Sequence, residues 1–349
     1  MARGAAVQVL PPLGVAGVAA LAWALTSVMG AHAGGGYVEK VLFDIGINII
    51  LAVSLNMVNG LTGQFSIGHA GFMALGAYGS LVVSYYLGYT IFGDVAKHAT
   101  LAGYGLYLGS IVAGGLIACF AGLVVGLPSL RLRGDYLAIV TLGFGEIIRV
   151  LLQATPSVLG DGEMAGVSAW RRAFHLGGAL GFPHGQSYNS LAWTWGGVAL
   201  TLLVAYRLRE SSHGRAFLSI RENDIAAEAI GVDTTRYKVT AFVLAAFFAG
   251  VAGALFAHQL GAGTASRPEE FNFMKSFEAV IMVVLGGMGS ISGAAIAAVA
   301  LTVLTELLRS VQDYRLIAYA SLLILVMILR PRGLLGTREL WHKKKRAAK

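Results

Sequence analysis

Charge is scarce in this chain. Asp, Glu, Lys and Arg make up 13% of its 349 residues, about half the share of an ordinary soluble domain, while hydrophobic residues make up 56%. That shortage excludes a soluble enzyme and a disordered chain, both of which need a solvated polar surface. The single cysteine, Cys119, lies in an apolar run, which excludes an intrachain disulfide and a cysteine-rich metal centre. No lysine follows a glycine, so the chain has no P-loop. G-x-G-x-x-G, H-E-x-x-H and G-x-S-x-G patterns are missing as well. The eight histidines are scattered; His175 and His184 share a loop and read as solvated. With no nucleophile–base pair to propose, the chain reads as not an enzyme, with no cofactor and no metal. Any energy it uses comes from a partner or an ion gradient.

What the chain has in abundance is glycine, 47 residues, beside only 7 prolines. Glycine lets apolar helices approach closely within a bilayer. Charged residues fall in short segments between long uncharged gaps, such as those from Asp44 to Asp94, Lys97 to Arg131, Arg172 to Arg207 and Lys238 to Arg267. A helix needs about 20 apolar residues to cross a ~30 Å hydrocarbon core. The gaps therefore predict an all-α, polytopic membrane protein of about ten transmembrane helices. They are expected at residues 7–30, 41–60, 68–88, 101–127, 136–153, 189–206, 239–260, 276–288, 291–309 and 315–330. A single domain would cover 1–336, with an outer loop at 154–188, an inner loop at 207–238 and a basic tail at 337–349.

The net charge of +8 would suggest nucleic acid in a soluble protein. Here it marks topology, because Lys and Arg collect in cytoplasmic loops. Counting spans from an inner N-terminus puts Arg131 and Arg133, the 207–238 loop and Lys343-Lys344-Lys345-Arg346 on one side. Both termini are thus expected in the cytoplasm, with membrane lipid and not nucleic acid as the surroundings. Residues 1–33 have some features of a signal peptide, ending in Ala31-His32-Ala33. Their apolar stretch is longer than the usual 7–15 residues, so a retained helix is expected.

Two segments look like broken helices. The stretch 276–288 is short for a crossing and runs into Gly286-Gly287-Met288-Gly289. Around 60–71, Gly60, Gly63, Gly68 and Gly71 interleave with Thr62, Gln64, Ser66 and His69. They share a pattern, Gly60-x-x-Gly63-x-x-Ser66 against Gly286-x-x-Gly289-x-x-Ser292. Interrupted helices in corresponding halves point to a transporter's pathway. Asn48, Asn56 and Asn59 form a polar stripe just before the first break. Asn56, Asn59, Gln64, Ser66, His69, Gly286 and Gly289 are the candidate pathway residues, with helix–helix hydrogen bonding and close packing as the rival roles. Among charges inside spans, Glu146 with Arg149 and Glu306 with Arg309 have pairing distance along a helix. Asp44 and Glu278 lie near outer ends, where water is close.

In the inner loop, Asn223 to Gly231 reads as a short capped helix, with Asn223 or Asp224 as N-cap and Gly231 just past the C-terminus. Ile225, Ala226, Ala229 and Ile230 form an apolar stripe flanked by Asp224 and Glu228. So short a helix is not stable alone; it needs either the protein's own loops or a docked partner.

The stretch Gly214–Gly231 followed by Arg236-Tyr237-Lys238 resembles the coupling segment of branched-chain amino-acid ABC-transporter permeases of the M type. Asn56–Gly71, Leu130–Glu146, Gly286–Ala294 and Arg330–Gly336 are similar to further signatures of that family, in the right order over roughly residues 40–336. The resemblance implies a permease subunit of an importer in the bacterial inner membrane, with an all-helical fold. Its partners would be a second homologous permease, two ATP-binding cassette subunits and a periplasmic substrate-binding protein. It also implies that Arg221, Glu222, Asn223, Asp224, Ala227, Glu228 and Gly231 meet an ATPase subunit. Branched-chain, aliphatic amino acids are the expected cargo. Urea or short amides in a related permease, and an ion-coupled secondary transporter, are the alternatives.

Overall fold

The computed structural model describes residues 35–92, 101–129, 135–164, 166–183, 190–259 and 265–308, and positions 317, 321, 324, 328–330, 333–336 and 339. The expected first span at 7–30, most of 315–330, Arg131, Arg133, His184, Arg309 and the basic run 343–346 lie outside the described residues.

The architecture is helical. In chain order, α1 is Gly35–Asn56, α2 His69–Val82, α3 Leu101–Ser129, α4 Asp135–Gln153, α5 Leu191–Glu210, α6 Ser212–Glu222, α7 Asp224–Ala229, α8 Thr234–Gln259, α9 Phe273–Gly286 and α10 Ile291–Leu307. α1 runs into a π-helical turn, Met57–Thr62, and α2 continues through a second, Val83–Leu87, into Gly88–Phe92. A two-residue antiparallel pair, β1 (Phe182–Pro183) with β2 (Ala265–Ser266), ties the loop after α4 to the segment before α9.

Six helices are long and apolar enough to cross a membrane: Gly36–Thr62, His69–Phe92, Ala102–Pro128, Tyr136–Gln153, Leu191–Glu210 and Thr234–Gln259. They coincide with six of the expected spans. The next two are shorter, 14 residues in α9 and 17 in α10. At 1.5 Å per residue α9 reaches only about 21 Å, so it is a partial crossing that protein must surround. The described residues therefore support a polytopic membrane protein with six candidate spans among them; of the other four expected spans, two are the shorter α9 and α10 and two fall mainly on residues outside those described.

α1 is the hub. Within its apolar stretch 83% of residues are buried by protein, against 22% in α4, so α4 is peripheral and presents Ile139, Ile147, Val150 and Leu151 outward. α1 packs on α5, α8, α9 and α10, and α8 packs on α2 and α3. The α2–α3–α8 crossing explains much of the glycine. A Cβ on Gly76 would sit 2.2 Å from the Cα of Gly250, and one on Gly114 would sit 2.4 Å from the Gly76 carbonyl oxygen. Three backbones meet there with no room for a side chain, which gains dispersion contacts that bulkier residues would prevent.

Candidate functional site

At one end of the bundle the two broken helices abut, and the α6–α7 loop lies against them. In the first break, α1 loosens at Met57–Thr62 and stops at Gly63, whose φ of +71° suits glycine. Residues 63–68 then turn back before α2 begins at His69. The turn is fixed by side chains rather than by its own backbone. Asn59 accepts from Ser66 N at 3.1 Å and donates to Ser66 O at 3.2 Å. Ile67 N donates to Thr141 Oγ1 at 3.1 Å, and Ala70 N, in the first turn of α2, donates to Ser276 Oγ at 2.9 Å. His69 Nε2 lies 2.8 Å from Ser54 Oγ. Gln64 is buried and accepts only a long contact, 3.4 Å from Thr62 Oγ1. Ser66 Oγ is buried with no hydrogen-bond partner among the described residues.

In the second break, α9 ends at Gly286 and α10 starts at Ile291 with Ser290 as N-cap, accepting from Gly293 N at 3.0 Å. Asn56 reaches across from α1 to hold the turn between them. Its Oδ1 accepts from Gly289 N at 2.9 Å, and its Nδ2 donates to Ser290 O at 3.1 Å. The two patterns meet at Gly60 and Gly289, since a Cβ on Gly60 would lie 2.4 Å from Gly289 N. The break is closed from the C-terminal side too. Leu334 N donates to Leu285 O at 2.8 Å and Leu335 N to Gly286 O at 3.2 Å, satisfying the last carbonyls of α9. Glu339 is buried and accepts from Ile291 N at 2.7 Å, Ser292 N at 3.0 Å and Ser292 Oγ at 2.5 Å. It also pairs with Arg209 at the end of α5. A carboxylate at the N-terminus of α10 is favoured by both the free amides and the helix dipole.

The loop helix forms as its caps dictate. Asn223 Oδ1 accepts from Ala226 N at 3.0 Å, and Gly231, at φ +88°, ends α7 with its N donating to Glu228 O at 2.9 Å. The faces of the helix divide cleanly. Ala227 is buried, Glu228 Oε1 accepts from Thr234 Oγ1 at 2.5 Å, and Lys238 Nζ pairs with Asp224 Oδ2 at 2.5 Å, Thr234 and Lys238 both lying on α8. Glu222, Asn223 and Gly231 are exposed, and Ile225 and Ile230 are 73% and 76% exposed. Arg221 points the other way, its guanidinium donating to Gly60 O at 2.7 Å and Met288 O at 3.4 Å. Beneath it, Phe217 is buried with Leu61 and Ala241 and meets Tyr237 edge-on, which seats α6 on the π-helical turn of α1.

The charges inside the spans find partners. Arg149 donates to Glu146 at 2.7 Å, and the other oxygen of Glu146 accepts from Phe273 N at 3.0 Å, capping α9. Glu306 accepts from Tyr37 at 2.6 Å and Asp44 from Gln259 at 3.2 Å. Asn48 donates to Thr302 at 2.9 Å and accepts from Lys275 Nζ at 3.2 Å, which also lies 3.3 Å from Glu278. His175 Nδ1 lies 2.8 Å from Ser157 O. Asn48, Asn56 and Asn59 thus all serve contacts between segments. Glu339, Arg209, Ser276, Thr141 and Lys275 were missed by sequence reasoning. The i,i+3 spacing of Lys275 and Glu278 was a visible signal, but nothing local marks Glu339.

Long apolar helices packed through glycine around a pair of abutting broken helices define a polytopic membrane permease. Residues 37–330 match the family described as branched-chain amino acid transport system / permease component, and the chain belongs to that family. It is 38% identical over 311 residues to the high-affinity branched-chain amino acid transport system permease protein LivM of Salmonella typhimurium, covering 83% of this chain and 68% of the relative. The Escherichia coli LivM is 37% identical over 322 residues, covering 87% and 71%. The high-affinity permease protein LivH of Salmonella typhimurium is 26% identical over 295 residues, covering 83% and 91%. Among solved structures, PsaBC from Streptococcus pneumoniae in complex with Fab superposes at a TM-score of 0.42 with 12% identity, covering 87% of this chain and 95% of that one, too distant to carry an argument.

Proposed function

We propose that this chain is the M-type permease subunit of a bacterial ABC importer and forms half of a passage for branched-chain amino acids. Two ATP-binding subunits would drive it, a second homologous permease would form the other half, and a periplasmic binding protein would deliver the cargo. Similarity to LivM and, more distantly, to LivH supports a pair of related permeases. The observation that carries the reading is α7. It is a six-residue helix, held to the membrane domain by Asp224, Ala227 and Glu228, whose Ile225 and Ile230 stand in solvent. Exposed aliphatic side chains on a rigid, capped knob suit a hydrophobic groove on a partner. Glu222, Asn223 and Gly231 complete that face. The basic loop supports a cytoplasmic face for it by the positive-inside rule, and on this reading both termini would lie on the same side.

The passage would run beside the two breaks. Gly289, at positive φ, lets the chain turn, Gly286 lets α9 approach Gly293 of α10 closely, and Asn56, Asn59 and His69 fix the walls. Gln64 and Ser66 retain polar capacity to meet a solute. A solute that must leave again is served by weak contacts such as these.

Co-expression with two ATP-binding subunits, the second permease and the binding protein, followed by reconstitution, tests this reading. ATP-dependent leucine uptake that needs every component is expected. Uptake by the chain alone on a sodium or proton gradient overturns the subunit reading, and a delivery protein that binds urea or short amides but no aliphatic amino acid overturns the cargo.

A further inference from the structure

We propose that Arg221 is a positioning residue that links the cytoplasmic loop to both broken helices, so that movement of α6–α7 is passed to the two breaks together. The inference rests on the importer reading above and adds the contact through which the drive would reach the passage. Carbonyls at a helix break have lost their intrahelical donors, and for the buried Gly60 water does not replace them. Arg221 Nη1 supplies a donor to one carbonyl of each break, Gly60 O at 2.7 Å and Met288 O at 3.4 Å. The backbone is shaped to admit it. A Cβ on Gly289 would fall 2.4 Å from Arg221 Nη1, and one on Gly63 would fall 3.1 Å from Arg221 Cγ. Both glycines have positive φ, +88° and +71°, so the turns that face the arginine are ones only glycine adopts without strain.

The path on either side of the arginine is rigid. Arg221 lies in the last turn of α6, and Asn223, two residues on, caps α7. On the other side Asn56 binds Gly289 and Ser290, while Gly60 lies against Gly289, so the two breaks shift as a unit. Its neighbours Glu222 and Asn223 are exposed and available to a partner, whereas the Arg221 guanidinium is turned inward. A planar guanidinium with several fixed donors holds two acceptors at once better than an ammonium does. A displacement of α7 by a docked ATPase subunit is therefore carried by packed, hydrogen-bonded elements to the place where the helices open, the kind of physical link that coupling between sites requires.

The test uses the assembled importer in proteoliposomes with its binding protein. For Arg221→Gln, both ATP-binding subunits are expected to co-purify at wild-type stoichiometry, while solute uptake per ATP hydrolysed falls at least tenfold. Arg221→Lys is expected to recover part of that ratio, to within about threefold of wild type. Hydrogen exchange gives a readout independent of cargo. Trapping the wild-type complex with nucleotide is expected to alter protection at 58–62 and 287–292 together, and in Arg221→Gln at neither. Loss of the ATPase subunits from Arg221→Gln would make Arg221 a docking residue, and a wild-type uptake ratio would make it packing; either overturns the proposal. If Arg221→Gln is not recovered folded, the lysine variant decides, a lowered ratio supporting the linkage and an unchanged one overturning it. A wild-type complex that fails to assemble or to move branched-chain amino acids is a failure of the importer reading, visible before any variant is compared.

Discussion

Replacing Asn56 with leucine removes both hydrogen bonds that tie the turn at 287–290 to α1, and takes from the buried Gly289 N its acceptor, while Ser290 O keeps Ala294 N at 3.1 Å. A buried amide left without its acceptor costs roughly 1–3 kcal/mol. Asn56→Leu should therefore lower the melting temperature of the detergent-solubilised protein by several degrees, measured by size-exclusion after heating. Gln64→Leu, whose side chain makes one long contact, should leave the melting temperature unchanged and slow uptake. Glu339→Gln keeps the shape but withdraws the charge facing the α10 N-terminus and Arg209. Losing one member of a buried pair costs about 3 kcal/mol or more, so a larger drop than for Asn56→Leu is expected in the same assay. The asparagine stripe was legible in the sequence as polarity in an apolar helix. Its choice between lining a passage and bracing helices was not, because the partners Ser66, Ser290 and Thr302 come from distant or turned segments.

At the scale of elements, α7 separates what a helix needs from what it offers. Its caps at Asn223 and Gly231 followed from local chemistry, and the structure forms the helix between them. Which stripe it buries did not follow, since Ala227 turns inward and the two carboxylates bind Lys238 and Thr234 of α8 while the isoleucines remain outside. Ile225→Asp with Ile230→Asp should abolish recovery of ATP-binding subunits with the permease, while membrane insertion and melting temperature stay near wild type because both side chains are largely exposed among the described residues. Normal co-purification of the double variant would remove α7 from the interface. The breaks at 60–63 and 286–289 were announced by glycine spacing. That the C-terminal segment would cap one of them through Leu334, Leu335 and Glu339 had no local signature.

For the whole molecule, the triple crossing of α2, α3 and α8 sets a steric demand that no repacking of neighbours meets. Gly76→Val would press a branched side chain into the backbone of Gly250, and overpacking of this kind costs at least 1–3 kcal/mol. Loss of monodisperse protein after extraction is the expected outcome, whereas Gly109→Val, where no atom lies within 4 Å of the added Cβ, should behave as wild type.

By itself the sequence determined that this chain lies in a membrane, where its long helices run, where two of them break and how its loop helix is capped. All of these depend on hydrophobicity, backbone freedom and hydrogen bonds over a few residues. Only the tertiary structure decided that the two breaks touch, that Asn56 and Arg221 bind them, and that Glu339 closes one of them. Those contacts join residues more than 40 positions apart, and their energy exists only once packing has brought buried donors and acceptors within reach of each other.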